Sequence, residues 1–593
     1  MAEYTMSIRR RVVASAVVLL LVVVGLVFRL VDVQMVRADG LVADSLEKMG
    51  GGQVLYANRG SIVDTNGQVL AESVTQFHLK TSPKDVTPVE RRGEDGKTHK
   101  VPVGEVLGEI GTITGQPAEE LQKIIDDALA KDPKSNFAYL AKNLDAEQRS
   151  QLRELKVPWL WYEPDAKRMY PNGAVAGNLI GFVGSDNTPL AGMELKEDAC
   201  LVGRDGREQF QSTKEGVPLP GTSVTTLDPV PGGTLGLTID RDLNWYMQQL
   251  VASQVKETKA EFGIVMVTEA KTGKIRAVAE YPTVDPNDVG ASDPEYRSSL
   301  AFRINFEPGS VYKAITAASL VDSGVANHLS EVVAPYRWSP PNGASIKDAL
   351  PHEPQNFTLS GVLQQSSNTG LAMLGEKLSP ERRYDYLQKF GFGEPSGIEF
   401  PGEESGVLHD WKKWDNQSYY TTMFGQGVST TAVQIAGAYQ ALANDGVRLP
   451  LQLIEGCERA DGSTEETPEL GAGERVISAE AAQETRAMME TVVTDGFLAQ
   501  DLTLPGYRVA AKSGTGEQFD ADGKLKRTFF ASMAGMVPSE DPEYVVTVHL
   551  KDPLTKLSSA AAAPVFTQAI TQVIKHYGIP PSTEPAPDYP GYF

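Results

Sequence analysis

The chain has 593 residues, which is too long for one compact core and predicts two or three domains. Hydrophobic residues make up 41% of it and charged residues 22%, a composition that argues against wholesale disorder. The formal net charge of -22 argues against binding of nucleic acid and against adhesion to anionic lipid, and it is typical of an acidic, soluble surface.

Cysteines and histidines are few. The two cysteines, Cys200 and Cys457, provide neither a disulfide framework nor a zinc site of the CxxC kind, and the seven histidines include no HExxH pattern. We therefore expect no metal ion and no cofactor. The two cysteines could pair in an oxidising compartment, but the sequence does not give the distance between them, so their pairing stays open at this point.

An apolar segment lies near the N-terminus. Arginines at positions 9–11 precede an apolar run from Val12 to Phe28, and a shorter apolar stretch follows Arg29. With its flanks this run is long enough to cross a bilayer core of about 30 Å. A cleavable signal peptide is the alternative, but the sequence after Arg29 makes a poor cleavage site. The basic flank predicts a cytoplasmic tail over 1–11, one transmembrane helix over 12–35, and all later residues outside the cell.

Residues 36–228 are mixed in character and are predicted to form the first external domain. Residues 56–71 are typical of two strands around the Asn66-Gly67 turn. Residues 117–155 are rich in Ala, Glu, Leu and Lys, and Pro133 interrupts them, which predicts two helices. Pro and Gly residues cluster on both sides of residue 228, which favours a domain boundary there.

The pattern changes in residues 229–580, the second predicted domain. Strand-like runs lie at both of its ends, over 234–239, 263–268, 274–280, 528–537 and 544–550, with helical stretches between them. Strands that come from both ends of a region favour a single sheet and an α+β layout. The remaining residues, 581–593, are rich in Pro, and we expect them to be frayed.

Two sets of motifs compete for the active site. Serine acyltransferases that react with penicillin need S-x-x-K, S-x-N and K-[TS]-G, and this chain contains the three motifs twice, in the same order. The first set is Ser45 with Lys48, Ser185-Asp186-Asn187 and Lys271-Thr272-Gly273. The second set is Ser310 with Lys313, Ser366-Ser367-Asn368 and Lys512-Ser513-Gly514. The first set is the more literal match, so the motifs alone do not decide between them.

The surroundings of the serines favour the second set. A nucleophilic serine needs a neutral lysine as its base, and lysine is neutral at pH 7 only when it is desolvated or lies near other cations. Ser310 begins a nearly apolar helix that carries Lys313 one turn later, on the same face. The N–H groups at a helix start also stabilise developing negative charge.

The first set has a simpler explanation. Ser45 and Lys48 lie just beyond the predicted membrane span, where the lysine would be solvated and charged. Residues 271–273 fit a hairpin turn, and residues 185–187 fit a polar loop. A serine and lysine at a helix start are usually a cap and a surface lysine. The second set stands out because Ser366–Asn368 precedes a helix of small residues and because Lys512–Thr515 lies between two strand-like runs, where a cleft can gather them.

Around Glu307-Pro-Gly-Ser-Val-Tyr-Lys313 the chain resembles the class B penicillin-binding proteins, and the resemblance covers nearly the whole chain. Residues 59–71, 168–184 and 192–194 resemble the three boxes of the membrane-proximal pedestal of that family, and residues 424–429, 441–446 and 530–538 resemble segments of its transpeptidase domain. Within the family, residues 440–450 are most similar to division-specific, FtsI-type enzymes of actinobacteria. One departure is that Ser513 and Gly516 stand where many relatives have Thr and Ala; the serine keeps the hydroxyl.

The resemblance implies an α+β protein with one N-terminal transmembrane helix and an elongated, mixed α/β pedestal of the dimerisation type over 36–228. A transpeptidase domain, with a five-stranded antiparallel sheet flanked by helices, would follow over 229–580. The implied activity is that of a serine-type peptidoglycan D,D-transpeptidase that cross-links stem peptides ending in D-Ala-D-Ala in septal wall synthesis and is acylated and inhibited by β-lactams. An elongation-type transpeptidase and a largely non-catalytic division scaffold are the alternatives.

The resemblance also implies roles for single residues. Ser310 would be the nucleophile, Lys313 its base, Ser366 a proton relay near Lys512, and Asn368 a ligand of the substrate amide. Ser513, Gly514 and Thr515 would bind substrate, and the backbone N–H groups of Ser310 and Thr515 would form the oxyanion hole. The implied partner is an FtsW-type membrane glycosyltransferase, contacted through residues 12–35 and the pedestal, together with other division proteins. A β-lactamase is less favoured, since it needs neither an anchor nor a pedestal, and a carboxypeptidase that uses water as the acceptor is a further alternative.

Overall fold

A computed structural model of the protein describes residues 2–32, 50–92, 96–211, 222, 224–466, 473–519 and 525–593. Its internal contacts divide the chain into two compact units. The first contains residues 1–58, 74–167 and 203–231, and the second contains residues 59–73, 168–202 and 232–593. The units therefore alternate along the chain, and the contiguous domain limits over 36–228 and 229–580 stay a prediction.

The α-helices are numbered in chain order. They are α1 Ala2–Val31, α2 Val103–Thr114, α3 Ala118–Lys131, α4 Ala146–Glu154, α5 Gly177–Ile180, α6 Gly192–Lys196, α7 Asp198–Leu201, α8 Arg241–Thr258, α9 Leu300–Arg303, α10 Lys313–Asp322, α11 Leu359–Gln364, α12 Asn368–Gly375, α13 Pro380–Lys389, α14 Ser418–Thr421, α15 Ala432–Ala443, α16 Ala479–Thr494, α17 Ala499–Leu502 and α18 Ala563–Tyr577. Short 3-10 turns include Gly309–Tyr312 and Ser559–Ala561.

The strands are numbered in the same way. They are β1 Gly50–Leu55, β2 Ile62–Val63, β3 Val69–Thr81, β4 Val89–Arg92, β5 Thr98–Val101, β6 Ala138–Leu144, β7 Leu160–Met169, β8 Gly206–Gln211, β9 Val224–Leu227, β10 Thr234–Leu237, β11 Phe262–Glu269, β12 Ile275–Tyr281, β13 Val332–Ala334, β14 Arg337–Trp338, β15 Ile346–Lys347, β16 Gln355–Phe357, β17 Val447–Arg448, β18 Ile454–Glu458, β19 Thr464–Glu466, β20 Glu474–Arg475, β21 Ala510–Phe519, β22 Leu525–Val537 and β23 Tyr544–Lys551.

Helix α1 contains the apolar segment near the N-terminus. Its residues Arg10–Val31 are long and apolar enough to cross a membrane, since 22 residues at 1.5 Å each span about 33 Å. The side chains of this stretch are exposed rather than packed against the protein, Phe28 for example to 74%. The helix is therefore consistent with single-pass anchoring. Residues 33–35, which the sequence assigns to the same span, lie outside the described residues.

The first unit contains a small layered core. Strands β6 and β7 pair with β3, and the register includes Phe77↔Leu144 and Leu79↔Ala141. Leu79, Leu107 and Leu121 are buried in the apolar cluster under this sheet. Helices α3 and α4 confirm the two helices predicted within 117–155. Strand β6 between them was not predicted, because its residues Ala138–Leu144 do not alternate between apolar and polar.

The second unit is built on a five-stranded antiparallel sheet in the order β12-β11-β23-β22-β21, as predicted. Successive residues of a strand point to opposite faces, and both faces of this sheet are buried. Val265 and Val267 of β11 face one apolar cluster, to which α8 and α18 contribute Leu243 and Phe566. Ile264 and Met266 face the other cluster, which includes residues of α10 and α15. Because both faces are buried, the sequences of these strands are continuous apolar runs.

The second unit also contains strands paired in the order β19-β18-β10-β2, with Leu235 of β10 paired to Ile62 and to Cys457. Cys457 of β18 forms a disulfide with Cys200 of α7, with the two Cα atoms 6.0 Å apart. The pairing that the sequence left open is therefore present in the structure. It joins two segments separated by 257 residues.

Residues at the end of the chain are ordered by contacts with β16 and α11. The N–H of Phe593 donates to the carbonyl of Asn356 at 3.2 Å, and the N–H of Thr358 donates to the carbonyl of Gly591 at 3.1 Å. The prediction that residues 581–593 are frayed is therefore wrong for this part. Composition suggested fraying because the partners of these backbone groups lie more than 200 residues away in sequence.

Candidate active site

Ser310 lies in the 3-10 turn Gly309–Tyr312, which continues directly into α10. The N–H of Lys313 donates to the carbonyl of Ser310, and three residues per turn place the two side chains on the same side. Gly309 has φ +60°, and a Cβ at this position would overlap the carbonyl oxygen of Thr515. The glycine therefore allows the turn with Ser310 to lie directly against β21. The sequence predicted a helix start at Ser310; the structure has a 3-10 turn that begins one residue earlier, and the α-helix itself begins at Lys313.

Lys313 is completely buried at the beginning of α10. Its Nζ donates to the carbonyl oxygen of Ser366 and lies 3.3 Å from Ser366 Oγ. Burial of the ammonium group lowers the pKa of Lys313 to about 7, while the charge of Asp348 opposes this shift. A large fraction of Lys313 is therefore neutral near pH 7, as a base for Ser310 must be.

Ser366 lies between α11 and α12 in the left-handed conformation, with φ +57°. This conformation is uncommon for a residue other than glycine, and it ends α11. The next residue begins α12 as its N-cap, because Ser367 Oγ accepts from the N–H of Gly370 at 2.9 Å. The sharp reversal of the chain at Ser366 gives its carbonyl and its hydroxyl access to Lys313.

Lys512 reaches the same hydroxyl from β21. Its Nζ donates to Ser366 Oγ at 3.1 Å and to the carbonyl of Ser513 at 3.0 Å. The side chain is completely buried, and burial lowers the pKa of Lys512 well below its ordinary value, with Lys313 lowering it further. Lys512–Thr515 was predicted to lie between two strands. That placement is wrong, because the motif lies inside β21, the strand at the edge of the sheet.

The residues after Lys512 follow the alternation of β21. Ser513 and Thr515 share one face of the strand. Ser513 is buried, whereas Thr515 is exposed and its Oγ1 accepts from the N–H of Ser559 at 3.2 Å. At Gly514 an added Cβ would lie 2.8 Å from the N atom of Val311, so any side chain there would displace the turn that carries Ser310. The Ser310 turn, the Ser366 loop and β21 are thus brought together.

Asn368 begins α12 beside this group, and its Nδ2 donates to the carbonyl of Lys347 at 2.8 Å. Its backbone N–H donates to the buried carboxylate of Asp348, which also accepts from Ser367 Oγ at 2.7 Å and from the N–H of Thr369 at 3.0 Å. Asp348 therefore holds the start of α12 in place. Sequence analysis missed it, because a single aspartate after a two-residue strand belongs to none of the three motifs.

His352 contacts the same carboxylate. Its Nε2 lies 2.9 Å from Asp348 Oδ2, and its Nδ1 lies 2.8 Å from the carbonyl of Glu353. Burial opposes a charge on the ring, but the bonds to the Glu353 carbonyl and to Asp348 raise the pKa of His352. Both ring nitrogens face acceptors, an arrangement that favours the doubly protonated imidazolium.

The first set of motifs is not gathered in this way. Lys271 lies in the predicted turn between β11 and β12, where its side chain is 44% exposed and pairs with Asp541 at 3.0 Å. Residues 185–187 form a surface turn, in which Asp186 accepts from the N–H of Thr188 at 3.1 Å. Ser45 and Lys48 lie outside the described residues. Within the described ranges, no three His, Cys, Asp or Glu side chains are placed to hold a metal ion.

Comparison of the sequence with known proteins shows which family the chain matches. Residues 263–571 match the family described as the penicillin binding protein transpeptidase domain, and residues 54–237 match the penicillin-binding protein dimerisation domain. The penicillin-binding protein PbpB of Mycolicibacterium smegmatis is 32% identical, over 98% of this chain and 92% of its own length. The peptidoglycan D,D-transpeptidase FtsI of Escherichia coli is 28% identical, over 95% of this chain and 91% of its own length.

The fold is also similar to that of solved structures. Penicillin-binding protein 3 of Mycobacterium tuberculosis, complexed with aztreonam, aligns with a TM-score of 0.69 and 27% identity, over 91% of this chain and all of that chain. The same protein has been solved with ampicillin.

Proposed function

Because the chain belongs to the penicillin-binding proteins of class B, with a dimerisation domain followed by a transpeptidase domain of the FtsI type, we propose that it is a peptidoglycan D,D-transpeptidase with Ser310 as its nucleophile. The substrates are stem peptides that end in D-Ala-D-Ala. β-Lactams acylate the same serine, as expected for a relative of a protein solved with aztreonam and with ampicillin.

One observation carries the assignment of the site. Ser366 Oγ lies 3.1 Å from the Nζ of Lys512 and 3.3 Å from the Nζ of Lys313, and both lysines are buried beside the turn that contains Ser310. Two ammonium groups cannot share one hydroxyl at low cost in a desolvated site, so at least one of the lysines is neutral. A neutral lysine, a hydroxyl relay and a serine at a turn form the activated nucleophile of an acyl transferase.

The first half of the reaction forms an ester. Ser310 Oγ attacks the carbonyl carbon of the penultimate D-alanine while Lys313 Nζ takes the hydroxyl proton. The backbone N–H groups of Ser310 and Thr515 stabilise the oxyanion, an arrangement in which each donor is worth about 10²–10³-fold in other enzymes. The C–N bond then breaks, and Ser366 passes a proton, supplied from the lysine pair, to the departing amine of the terminal D-alanine.

In the second half, the amine of another stem peptide attacks the ester carbonyl, and the proton it loses returns along the same route. Ser310 leaves as the alcohol and a new amide cross-link remains, which gives ping-pong kinetics. Asn368 binds the substrate amide. Ser513 and Thr515, on one face of β21, bind the terminal carboxylate, and Gly514 gives the backbone of the strand room beside the substrate.

The cellular setting follows from α1 and from the likeness to FtsI. The residues before about position 12 lie in the cytoplasm and those after about position 36 lie outside, since three arginines precede the apolar segment. The protein acts in septal wall synthesis next to an FtsW-type glycosyltransferase, which it contacts through residues 12–35 and the pedestal. Replacing α1 by an unrelated membrane span is expected to impair division; unimpaired division would show that α1 serves only as an anchor.

Labelling with a fluorescent penicillin tests the proposal. The full chain is purified in detergent as wild type, Ser310→Ala and Ser45→Ala, and each is incubated with the probe. We expect covalent label on wild type and on Ser45→Ala and none on Ser310→Ala, with the adduct mass located on the peptide that contains Ser310. Label on all three variants, or on none, would contradict the site. Rapid release of hydrolysed penicillin would instead indicate a β-lactamase.

A further inference from the structure

The chain continues past α18 and binds the beginning of β21. Tyr507 donates through its hydroxyl to the carbonyl of Ile579 at 3.0 Å. The N–H of Ser582 donates to the carbonyl of Gly506 at 2.9 Å, and the N–H of Arg508 donates to Ser582 Oγ at 2.9 Å. These bonds fix residues 579–582 to the segment that leads into β21, the strand with Lys512.

Ten residues later the same segment binds the beginning of α11. Thr358, the N-cap of α11, donates through its N–H to the carbonyl of Gly591 at 3.1 Å and through Oγ1 to the carbonyl of Pro590 at 2.5 Å. Tyr592 forms an antiparallel bridge with Phe357, and their rings lie 5.3 Å apart. Tyr589 stacks on His328 with the ring centroids 3.9 Å apart.

The contact with α11 is close along the helix as well as at its cap. A Cβ added to Gly361 would overlap the carbonyl oxygen of Gly591, so only glycine at position 361 permits this approach. On the other side of the contact, a Cβ at Gly591 would collide with Oε1 of Gln364. The end of the chain is therefore packed against both turns of a six-residue helix.

Helix α11 leads straight into Ser366, and β21 carries Lys512. The two elements meet at one hydrogen bond of the site, between Lys512 Nζ and Ser366 Oγ at 3.1 Å. A shift of α11 by 1 Å along this bond would lengthen it beyond hydrogen-bonding distance, and displacements of that size at a reacting group lower rates strongly.

We propose that residues 579–593, here called the strap, are a positioning element for catalysis: by binding both the beginning of β21 and helix α11, the strap sets the position of Ser366 Oγ between Lys313 and Lys512. This proposal rests on the proposed acyl-transfer function. The strap does not contact the substrate. It affects the rate of the acylation step and not the binding of the substrate.

The test compares the full chain in detergent with two variants that release the strap from α11. One lacks residues 589–593, and the other is Gly361→Ala. The matched control is Gly437→Ala, a buried helical glycine at which an added Cβ meets Leu451 at an ordinary 3.6 Å. Stopped-flow labelling with a fluorescent penicillin gives the dissociation constant of the first complex and the acylation rate constant separately, and thermal unfolding reports folding.

We expect the acylation rate constant to fall about tenfold in both strap variants, with the dissociation constant unchanged within twofold and the control equal to wild type. Amide hydrogen exchange at residues 363–367 should increase in both. If the variant that lacks residues 589–593 does not fold, the acylation rate constant of Gly361→Ala tests the proposal. A lower melting temperature with an unchanged acylation rate constant would overturn the proposal, since it would make the strap a stabilising element only. Absence of label on wild type would instead overturn the proposed function.

Discussion

Two tripeptides that differ only in having Thr or Ser at the middle position lie in the same compact unit of this protein, in very different surroundings. Lys271-Thr272-Gly273 forms the turn between β11 and β12, where the lysine is 44% exposed and pairs with Asp541. Lys512-Ser513-Gly514 lies within β21, where the lysine is 0% exposed and donates to Ser366 Oγ.

The difference shows that the environment, and not the motif, gives a lysine its chemistry. The ammonium of Lys271 lies at the surface, where its pair with the exposed Asp541 contributes little to stability. Burial next to a second lysine lowers the pKa of Lys512, as the proposed proton transfer requires. Lys271-Thr272-Gly273 matches the K-T-G consensus better, but the side chains of the candidate active site surround Lys512-Ser513-Gly514.

The largest expected effect separates these two lysines directly. Lys512→Ala removes a buried donor from Ser366 Oγ, and we expect acylation by penicillin to slow by about 10²–10³-fold, the loss typical of one proton-transfer group. Lys271→Ala should change the rate by less than twofold. Both are measured with the fluorescent probe at pH 8 after circular dichroism has confirmed the fold. Equal losses in the two variants would show that burial does not distinguish them.

The pH profile of the wild type makes the comparison quantitative. Burial lowers the pKa of Lys313 to about 7. The neutral fraction of Lys313 therefore falls about tenfold per pH unit well below pH 7, and nearly all of Lys313 is neutral well above pH 7. We expect the acylation rate constant to rise through pH 7 and to level off by about pH 8.5. A base that kept the ordinary lysine pKa of about 10.4 would place the step far above this range. A profile without a step near pH 7 would exclude Lys313 as the base.

Replacing Asp348 tests the electrostatic part of this argument. Its carboxylate favours the charged form of Lys313, so Asp348→Asn should lower the pKa of Lys313 further and move the step in the pH profile to lower pH. The plateau should fall about threefold to tenfold, because the start of α12 loses bonds to a charged acceptor. Glu353→Gln, a neighbouring surface change, is the control. A shift of the step to higher pH would contradict the assignment.

The smallest effect on catalysis is expected at the disulfide. Cys200→Ala with Cys457→Ala leaves the lysines and Ser366 untouched, so the acylation rate should stay within twofold of wild type. The bond closes a loop of 257 residues, and its loss should lower the free energy of unfolding by about 3–5 kcal/mol. Denaturant unfolding measures this change. A large loss of activity at a temperature where the variant is folded would mean that α7 and β18 position the site.

The sequence predicts much of this arrangement because the relevant signals are local. The apolar runs of β11, β22 and β23, the hairpin turn at Gly273 and the helix that follows Ser310 all follow from patterns within a few residues. These patterns led to the choice of Lys313 and Lys512 over Lys48 and Lys271.

The missed features depend on contacts between distant segments. The left-handed conformation of Ser366, the bonds of Asp348 to the start of α12 and the binding of residues 589–593 to α11 exist only in the folded chain. The assignment of residues 59–73 and 168–202 to the second unit is of the same kind. Local composition carries no information about such partners.

The second unit is formed by three separate segments of the chain, and this limits the order in which it can fold during synthesis. Its earliest segments, 59–73 and 168–202, leave the ribosome before β10 and long before β18. Cys200 precedes Cys457 by 257 residues, which is roughly 13–50 s of translation at 5–20 residues per second. With two cysteines in the chain, a thiol that reacts during this interval can pair only with another molecule. A mixed disulfide formed in this interval must therefore be exchanged before Cys200 can pair with Cys457.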